Sequence, residues 1–195
     1  GPETLVIASS FSGNTEETLA AADQALGRGV RLLAVTTGGQ LAAHAEAHDY
    51  PLWRIAYQSQ PRAALGWSFG LLLGLAARLE LARALETALG EAIGLLRQYT
   101  PVYTATSPAP QNPAKRGAGQ LIGRLPVFFG GGLFEPVARR WKCQINENAK
   151  AWAQYEGMPE ANHNTVASIG FPAEHALNVA AVFITSSQYD HPRVT

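Results

Sequence analysis

A short polar segment near the C-terminal end of the chain contains residue types that suit proton transfer. Residues 144–164 read QINENAKAWAQYEGMPEANHN, with the carboxylate of Glu147 near Lys150 and, sixteen residues later, His163 between two asparagines. A carboxylate can take a proton from carbon beside a carbonyl, and a histidine can carry a second proton. The same residues also suit an ordinary surface. Glu147 could pair with Lys150 for about 0.3 kcal/mol, and His163 could be a capped or half-buried histidine.

A second polar group follows the first apolar run, residues 5–8, which predicts a buried parallel strand. The loop after it reads SSFSGNTEET, in which Asn14 and Glu17 predict the cap of a helix reaching Leu26. Hydroxyl groups and backbone N–H groups at a helix N-terminus suit a phosphate. A serine-rich turn before a well-capped helix explains the loop equally well. The hydroxyl groups concerned are those of Ser10, Ser12 and Thr15.

Arg62 lies directly after a proline, at the start of an apolar helix, in the sequence QPRAALGWS. There it could present a fixed positive charge to a ligand, or simply extend to water from the start of the helix. His44 and His48 are four residues apart and could face each other on another helix. No further group of metal ligands clusters near them, and the glutamate between them is in the wrong place for an HExxH motif, so we predict structural or surface histidines and no metal site.

The overall composition excludes several classes of protein. Hydrophobic residues make up 47% of the 195 residues and charged residues only 15%, which argues against disorder. Fifteen basic residues balance fifteen acidic ones, so no nucleic-acid or anionic-membrane partner is predicted. The single cysteine, Cys143, suits a reducing compartment. Residues 1–4 do not resemble a signal peptide, and the apolar run 63–77 is too short for a bilayer, so we expect a soluble cytoplasmic protein.

The remaining elements follow from hydrophobic spacing. A helix is predicted at 41–48, one long or two consecutive helices over 63–96 with a break near Gly90, a linker at 101–117 and a short helix ending near 124. A further helix starts at Pro136, and its inward face is predicted to carry Val137, Trp141, Ile145 and Trp152. The other predicted strands are 31–35, 51–53, 126–129 and 180–184.

The strand–turn–helix pattern therefore occurs on both sides of the linker. We predict an α/β fold with two similar lobes, each a parallel sheet flanked by helices, and a ligand crevice between the lobes.

Three segments together resemble the bifunctional phosphoglucose/phosphomannose isomerase family of the sugar isomerase (SIS) superfamily. They are SSFSGNTEET, the PRAALG sequence, and RRWKCQINENAK followed by PEANHN. The resemblance implies a first SIS lobe at residues 1–100, a linker and short helix at 101–125, and a second lobe at 126–195. It also implies that the chain lacks the initial strand of the first lobe and a C-terminal helix that carries a catalytic lysine.

The resemblance also implies an activity, the aldose–ketose isomerisation of glucose 6-phosphate or mannose 6-phosphate to fructose 6-phosphate through a cis-enediolate. Glu147 would move the proton between C2 and C1, and Arg62 would oppose the charge of the intermediate. His163 would assist ring opening from the neighbouring subunit of a homodimer. Ser10, Ser12 and Thr15 would hold the phosphate, and no metal or organic cofactor would be required.

Two other functions use part of the same sequence. A non-catalytic SIS domain that senses a sugar phosphate needs the serine loop, but it does not need ENAK or NHN. A flavodoxin-like protein binds the phosphate of FMN with a similar S/T-x-T-G-N-T loop, would be yellow, and does not predict ENAK or NHN either. The isomerase interpretation accounts for more of the sequence.

Overall fold

Two parallel sheets, each of three strands, organise the computed structural model, which describes residues 1, 3–82 and 85–192. The chain divides into two compact units, Gly1–Leu89 and Gly90–Thr195. The predicted α/β class with two parallel sheets flanked by helices is therefore confirmed.

The first unit has the strand order β1-β2-β3. Its elements are β1 (Leu5–Ser9), α1 (Glu16–Gly27), β2 (Arg31–Thr36), α2 (Gly39–Ala47), β3 (Leu52–Arg54), a 3₁₀ turn (Pro61–Ala63) and α3 (Leu65–Arg78). Side chains alternate between the two faces of a strand. Leu32 and Ala34 of β2 pack in one buried cluster with α1 and α2. Leu33 and Val35 pack on the other face, with residues of α3. Helices therefore cover both faces of this sheet.

The helix α4 (Leu85–Tyr99) leads into the second unit, whose sheet has the order β5-β4-β6. Further elements are 3₁₀ turns (Thr100–Tyr103, Ala109–Gln111), α5 (Pro113–Leu121), β4 (Leu125–Gly131), a 3₁₀ turn (Gly132–Phe134) and α6 (Glu135–Gln144). A π-helical turn (Ile145–Ala149), β5 (Gln154–Met158), a 3₁₀ turn (Glu160–Asn162), α7 (Thr165–Ser168), α8 (Ala173–Ala176) and β6 (Val179–Ile184) complete the unit. Phe128 of the central strand β4 is fully buried against Ala138 of α6.

The predicted strands at 5–8, 31–35, 51–53, 126–129 and 180–184 are confirmed within one or two residues. The helix starting near Pro136 is confirmed as α6. The predicted break near Gly90 is wrong, because Gly90 lies inside α4. Instead α3 ends at Arg78, and Glu80 beyond it takes a left-handed conformation with φ of 57°. The N–H groups of Leu79 and Leu81 bond back to carbonyls of this helix and close it there.

The predicted inward face of α6 is confirmed only in part. Ile145 packs against the buried cluster of Phe128 and Ala138, and the Trp141 ring meets Phe128 edge-on with ring centroids 5.6 Å apart. Val137 and Trp141 are 38% and 51% exposed, and Trp152 is 71% exposed in the segment between the π-helical turn and β5. The helix approaches the sheet through a small residue, Ala138, which is fully buried. Helical spacing correctly predicted which side chains share one side of α6. The fully buried contact between α6 and the sheet is made at Ala138, because a small residue allows the helix to pack closer to the sheet.

No helix within the described ranges is long and apolar enough to cross a membrane.

Candidate functional site

The hydroxyl-rich loop after β1 packs closely against the loop after β2. Gly13 has a φ of +72°, and a Cβ there would lie 1.8 Å from the carbonyl oxygen of Gly38. The N–H of Leu41 donates to the Gly13 carbonyl at 2.8 Å. Asn14 Oδ1 accepts from the N–H of Gln40 at 3.0 Å. These contacts join the loop to the start of α2.

The predicted cap of α1 is consequently wrong in its detail. Thr15, not Asn14, occupies the N-cap position, and its side chain makes no capping hydrogen bond. The Asn14 side chain instead satisfies an N–H group of the first turn of α2, which needs an acceptor as much as the first turn of α1 does.

The three predicted phosphate-binding hydroxyls have different surroundings. Ser10 is only 5% exposed, and its Oγ lies 2.7 Å from Thr15 Oγ1 and accepts from the Gly13 N–H at 3.1 Å. Ser12 and Thr15 are exposed beside the first turn of α1. Ser10 therefore shapes the loop from within and bonds the Thr15 hydroxyl, while Ser12 and Thr15 are exposed residues of the loop.

A cavity of about 720 Å³ opens beside this loop, lined by Phe11, Thr37 and residues 55–59. These residues follow β1, β2 and β3, so the cavity lies at the carboxyl ends of three parallel strands. Ligands of open α/β sheets bind in this position. Thr37 Oγ1 donates to the Phe11 carbonyl at 2.6 Å and fixes one wall of the cavity. Arg62 is half-buried in the 3₁₀ turn shortly after residues 55–59.

Glu147 lies in the π-helical turn that ends α6, and its side chain is exposed. Such turns are rare and are frequent at functional sites. Lys150 closes the turn in a left-handed conformation, and its Nζ donates to the backbone carbonyl of Glu147 at 2.7 Å. Within the described part of the chain, the Glu147 carboxylate has no ion pair. The alternative in which it pairs with the Lys150 side chain is therefore wrong.

The asparagine side chains on either side of Glu147 stabilise this turn. Asn146 Nδ2 donates to the carbonyl of Ala151 at 2.8 Å. Asn148 Nδ2 donates to Gln144 Oε1. The amides thus fix the backbone around an exposed carboxylate.

His163 lies on a second cavity, of about 680 Å³, within the second unit. Residues 131–132, 158–159, 162–163 and 189–191 line this cavity, at the carboxyl ends of β4 and β5. The His163 N–H donates to the Glu160 carbonyl at 2.9 Å and closes the 3₁₀ turn before it. The imidazole itself is exposed.

Glu147 and His163 lie at opposite ends of β5 in this unit. The π-helical turn precedes the strand and His163 follows it, and a five-residue strand spans about 13 Å at its usual rise. The structure therefore does not bring these two residues together within one copy of the unit. Ser10, Ser12, Thr15 and Arg62 belong to the other unit.

Of the two histidines predicted to be structural or at the surface, His44 is structural and His48 is exposed. His44 Nδ1 lies 2.8 Å from the Tyr50 hydroxyl and its Nε2 lies 2.8 Å from Asp23 Oδ1, so His44 links α1 to α2. Burial of the Tyr50 hydroxyl, together with the negative charge of Asp23, raises the pKa of Tyr50. The described residues include no group of three His, Cys, Asp or Glu side chains able to hold a metal ion.

Sequence reasoning missed the contribution of Tyr189, Asp190 and His191 to the second cavity. They come after the last strand, in TSSQYDHP, where polar residues at the carboxyl end of a parallel strand were the available signal.

Comparison with known proteins agrees with this geometry. Residues 110–195 match the family model described as the bacterial phospho-glucose isomerase C-terminal SIS domain. A solved structure with the same fold is a putative phosphosugar isomerase from Clostridium difficile 630, with a TM-score of 0.70 and 15% identity, covering 99% of this chain and 54% of that one.

Curated relatives extend the similarity to almost the entire chain. A bifunctional phosphoglucose/phosphomannose isomerase of Caldicellulosiruptor bescii is 39% identical over 98% of this chain and 56% of its own length. A protein of the same description from Aquifex aeolicus is 33% identical, over 97% of this chain and 55% of its own length. The chain is therefore similar, over almost its entire length, to proteins described as bifunctional phosphoglucose/phosphomannose isomerases. It spans about half the length of these relatives.

Proposed function

We propose that the protein catalyses aldose–ketose isomerisation of hexose 6-phosphates, converting glucose 6-phosphate or mannose 6-phosphate to fructose 6-phosphate through a cis-enediolate. The observation that carries this proposal is the 39% identity, over 98% of the chain, to a relative described as a bifunctional phosphoglucose/phosphomannose isomerase. The hydroxyl-rich loop and the exposed carboxylate of Glu147 support it.

The phosphate would bind at the loop after β1, where Ser12 and Thr15 are exposed and Ser10, bonded to Thr15, holds the loop in shape. The phosphate is remote from the reacting carbons, so its binding energy orients them without taking part in the bond changes. Arg62 would oppose the negative charge that develops on the enediolate oxygens. These four residues form the anion-binding half of the proposed site.

Glu147 would take the proton from C2 and return it at C1, while the carbonyl moves from C1 to C2. Its carboxylate suits this task because side chains that donate to backbone carbonyls fix the turn around it, and it forms no ion pair with a described residue. A positioned general base of this kind typically contributes 10²–10⁴-fold to the rate. The chemistry of the proposal requires neither a metal ion nor an organic cofactor, because fixed charge can stabilise the enediolate.

His163 would protonate the ring oxygen during ring opening, and it would act in the site of a neighbouring subunit. The separation of Glu147 and His163 by β5 favours a homodimer in which each site takes its glutamate from one subunit and its histidine from the other. The proposed lobes are residues 1–100 and 126–195, joined by residues 101–125. A cytoplasmic location would give the enzyme access to hexose phosphates.

The test is an assay of the purified full-length protein with glucose 6-phosphate and with mannose 6-phosphate, in the presence of a chelator. We expect formation of fructose 6-phosphate from both. Binding of either sugar phosphate without conversion would indicate a sugar-phosphate-binding module, and a yellow protein with flavin absorption would indicate an FMN carrier.

A further inference from the structure

The helix α4 carries a large apolar face that the described part of the chain leaves uncovered. None of its residues is buried. Ile93 is 44% exposed, Leu96 is 67% exposed and Tyr99 is 49% exposed. A lone helix of about 15 residues is only marginally stable in water, and helices in proteins are stabilised mainly by the packing of an apolar face. The face of α4 therefore requires a partner.

The apolar residues of α4 have the spacing of a coiled-coil seam, in which separations of four and three residues alternate. The residues of this seam are Leu85, Leu89, Ala92, Leu96 and Tyr99. Ile93 and Leu95 flank the seam and widen it. The charged residues of the helix, Glu86, Glu91 and Arg97, all lie outside the seam. Such a surface suits a second apolar helix.

The two ends of the seam differ in shape. At the C-terminal end of α4 there is a groove of about 470 Å³. It is lined by Leu95, Leu96, Tyr99, Thr100, Tyr103 and Thr104. Two aromatic rings beside two leucines suit aliphatic side chains. The N-terminal end of the same helix carries such side chains, those of Leu85 and Leu89, which are half-buried.

Two copies of α4 complement each other when they run in opposite directions. With the seams in register, Leu89 of each helix lies opposite Tyr99 of the other, at the groove. Leu96 of each helix then lies opposite Ala92 of the other, so a large residue meets a small one. A parallel pair would set Ala92 against Ala92 and Tyr99 against Tyr99, which leaves a void at one level and crowds the other. Antiparallel helices also bring opposite ends of their dipoles together.

We propose that α4 is a contact between two copies of this chain, paired antiparallel about a two-fold axis near Gly94. Such a contact is isologous, because the same face serves both copies. The inference does not rest on the proposed activity. It gives a surface to the homodimer that the sharing of His163 requires.

Sedimentation equilibrium of the full 195-residue chain tests the contact. We expect the wild type to be a dimer at micromolar concentration. Leu96→Glu places a carboxylate in the seam and should raise the dissociation constant of the dimer at least about 100-fold, because burial of an unpaired charge is costly. The matched control is Gln98→Glu, which adds the same charge to the same helix outside the seam. We expect it to leave the dissociation constant within about threefold of the wild type. Circular dichroism checks that both variants fold.

The direction of pairing is measured separately, with nitroxide labels on single cysteines in a Cys143→Ser background. Thr87 and Gln98 are exposed positions outside the seam. About an axis at Gly94, the axial distance between the two labels of an antiparallel pair grows by about 3 Å per residue, twice the helical rise, and so reaches about 21 Å at position 87 and about 12 Å at position 98. A parallel pair would give the same label distance at both positions.

A monomeric wild type would overturn the proposal, and so would a Leu96→Glu variant that dimerises as tightly as the wild type. Equal label distances at the two positions would refute the antiparallel pairing. If Leu96→Glu does not fold, the label distances decide alone. The isomerase assay keeps the proposed function apart from this contact. A wild-type dimer without activity would refute the function and leave the contact standing, whereas an active Leu96→Glu monomer would support the contact and refute the sharing of His163.

Discussion

At the scale of single residues, Glu147 is exposed, and the Asn146 and Lys150 side chains hold its turn by donating to backbone carbonyls. Glu147→Gln should therefore leave the fold intact while it removes the proposed base. We expect kcat for isomerisation of glucose 6-phosphate to fall about 100-fold or more, with the dissociation constant changed only several-fold. Steady-state kinetics and calorimetry measure the two effects. Glu174→Gln, an exposed carboxylate in α8, is the control. Near-native turnover by Glu147→Gln would exclude the role.

The loop hydroxyls give a second prediction. Replacing Ser12 and Thr15 together by alanine should weaken sugar-phosphate binding by about 1.5–3 kcal/mol for each charge-assisted hydrogen bond lost. Calorimetry with glucose 6-phosphate measures this loss, and Thr18→Ala, one turn further along α1, is the matched control. Unphosphorylated glucose should bind poorly to all variants. Equal affinity for glucose and its phosphate would remove this loop from the site.

Tyr50 gives a prediction about stability against pH. Its pKa is raised in the folded protein by burial and by the Asp23 charge, so as pH increases the unfolded chain loses this proton first. The contribution of the neutral tyrosine is fully present below its ordinary pKa of about 10 and declines as pH rises above that value. The free energy of unfolding of the wild type minus that of Tyr50→Phe should therefore decrease above pH 10, as denaturant titrations would measure. A difference independent of pH would contradict the assignment.

At the scale of elements, the close contact between the loops after β1 and β2 depends on Gly13. A Cβ at this position would collide with the Gly38 carbonyl, and the φ of +72° is itself unfavourable for other residues. Gly13→Ala should lower the midpoint of thermal unfolding and weaken sugar-phosphate binding together, because the loops must separate. Gly27→Ala, at the end of α1 where a Cβ meets nothing within 4 Å, should not lower the midpoint and should leave binding unchanged, because alanine suits a helical position. Tight binding by Gly13→Ala would show that the packing of the two loops is not required.

The elements also show how far the sequence could predict the fold. Short apolar runs such as residues 5–8 identified five of the six strands that the described residues form. β5 was missed because its sequence, QYEGM, lacks an apolar run. The segment forms a strand because it pairs with β4. Asn14 was assigned to the wrong helix because a capping side chain has the same sequence signature whether it serves its own helix or the next one.

Site residues that belong to one short motif could be predicted from the sequence. Site residues that only the fold brings together could not. Glu147 and the serine loop are short motifs. Asp190 was missed because its relation to His163 depends on two strand ends meeting at one cavity, which no spacing along the chain encodes.

At the scale of the whole molecule, the separation of Glu147 and His163 allows a complementation test. Glu147→Gln and His163→Gln subunits should each form inactive homodimers. Random exchange of subunits gives about half mixed dimers, each with one site that has both residues intact, so about a quarter of wild-type activity should return in a closed two-fold dimer. The measurement is the isomerase assay after the two inactive proteins are unfolded together and refolded.

Recovery depends on which subunit supplies the histidine. If each site took both residues from one subunit, every site of a mixed dimer would lack one of them, and no activity would return. Wild-type protein taken through the same refolding is the control for yield.

The order of strands in the two sheets has a consequence for synthesis on the ribosome. In the first unit, each new strand adds beside the previous one, so its three described strands have all been synthesised once residue 54 has emerged. In the second unit β4 is central, and one of its edges awaits β6, which ends at residue 184. While the residues between β4 and the end of β6 are being synthesised, the nascent chain exposes an unpaired edge of β4, the strand that contains Phe128 and Phe129. Unpaired edges of this kind promote aggregation. Pauses in translation between residues 131 and 179 should therefore demand more chaperone assistance than pauses in the first unit.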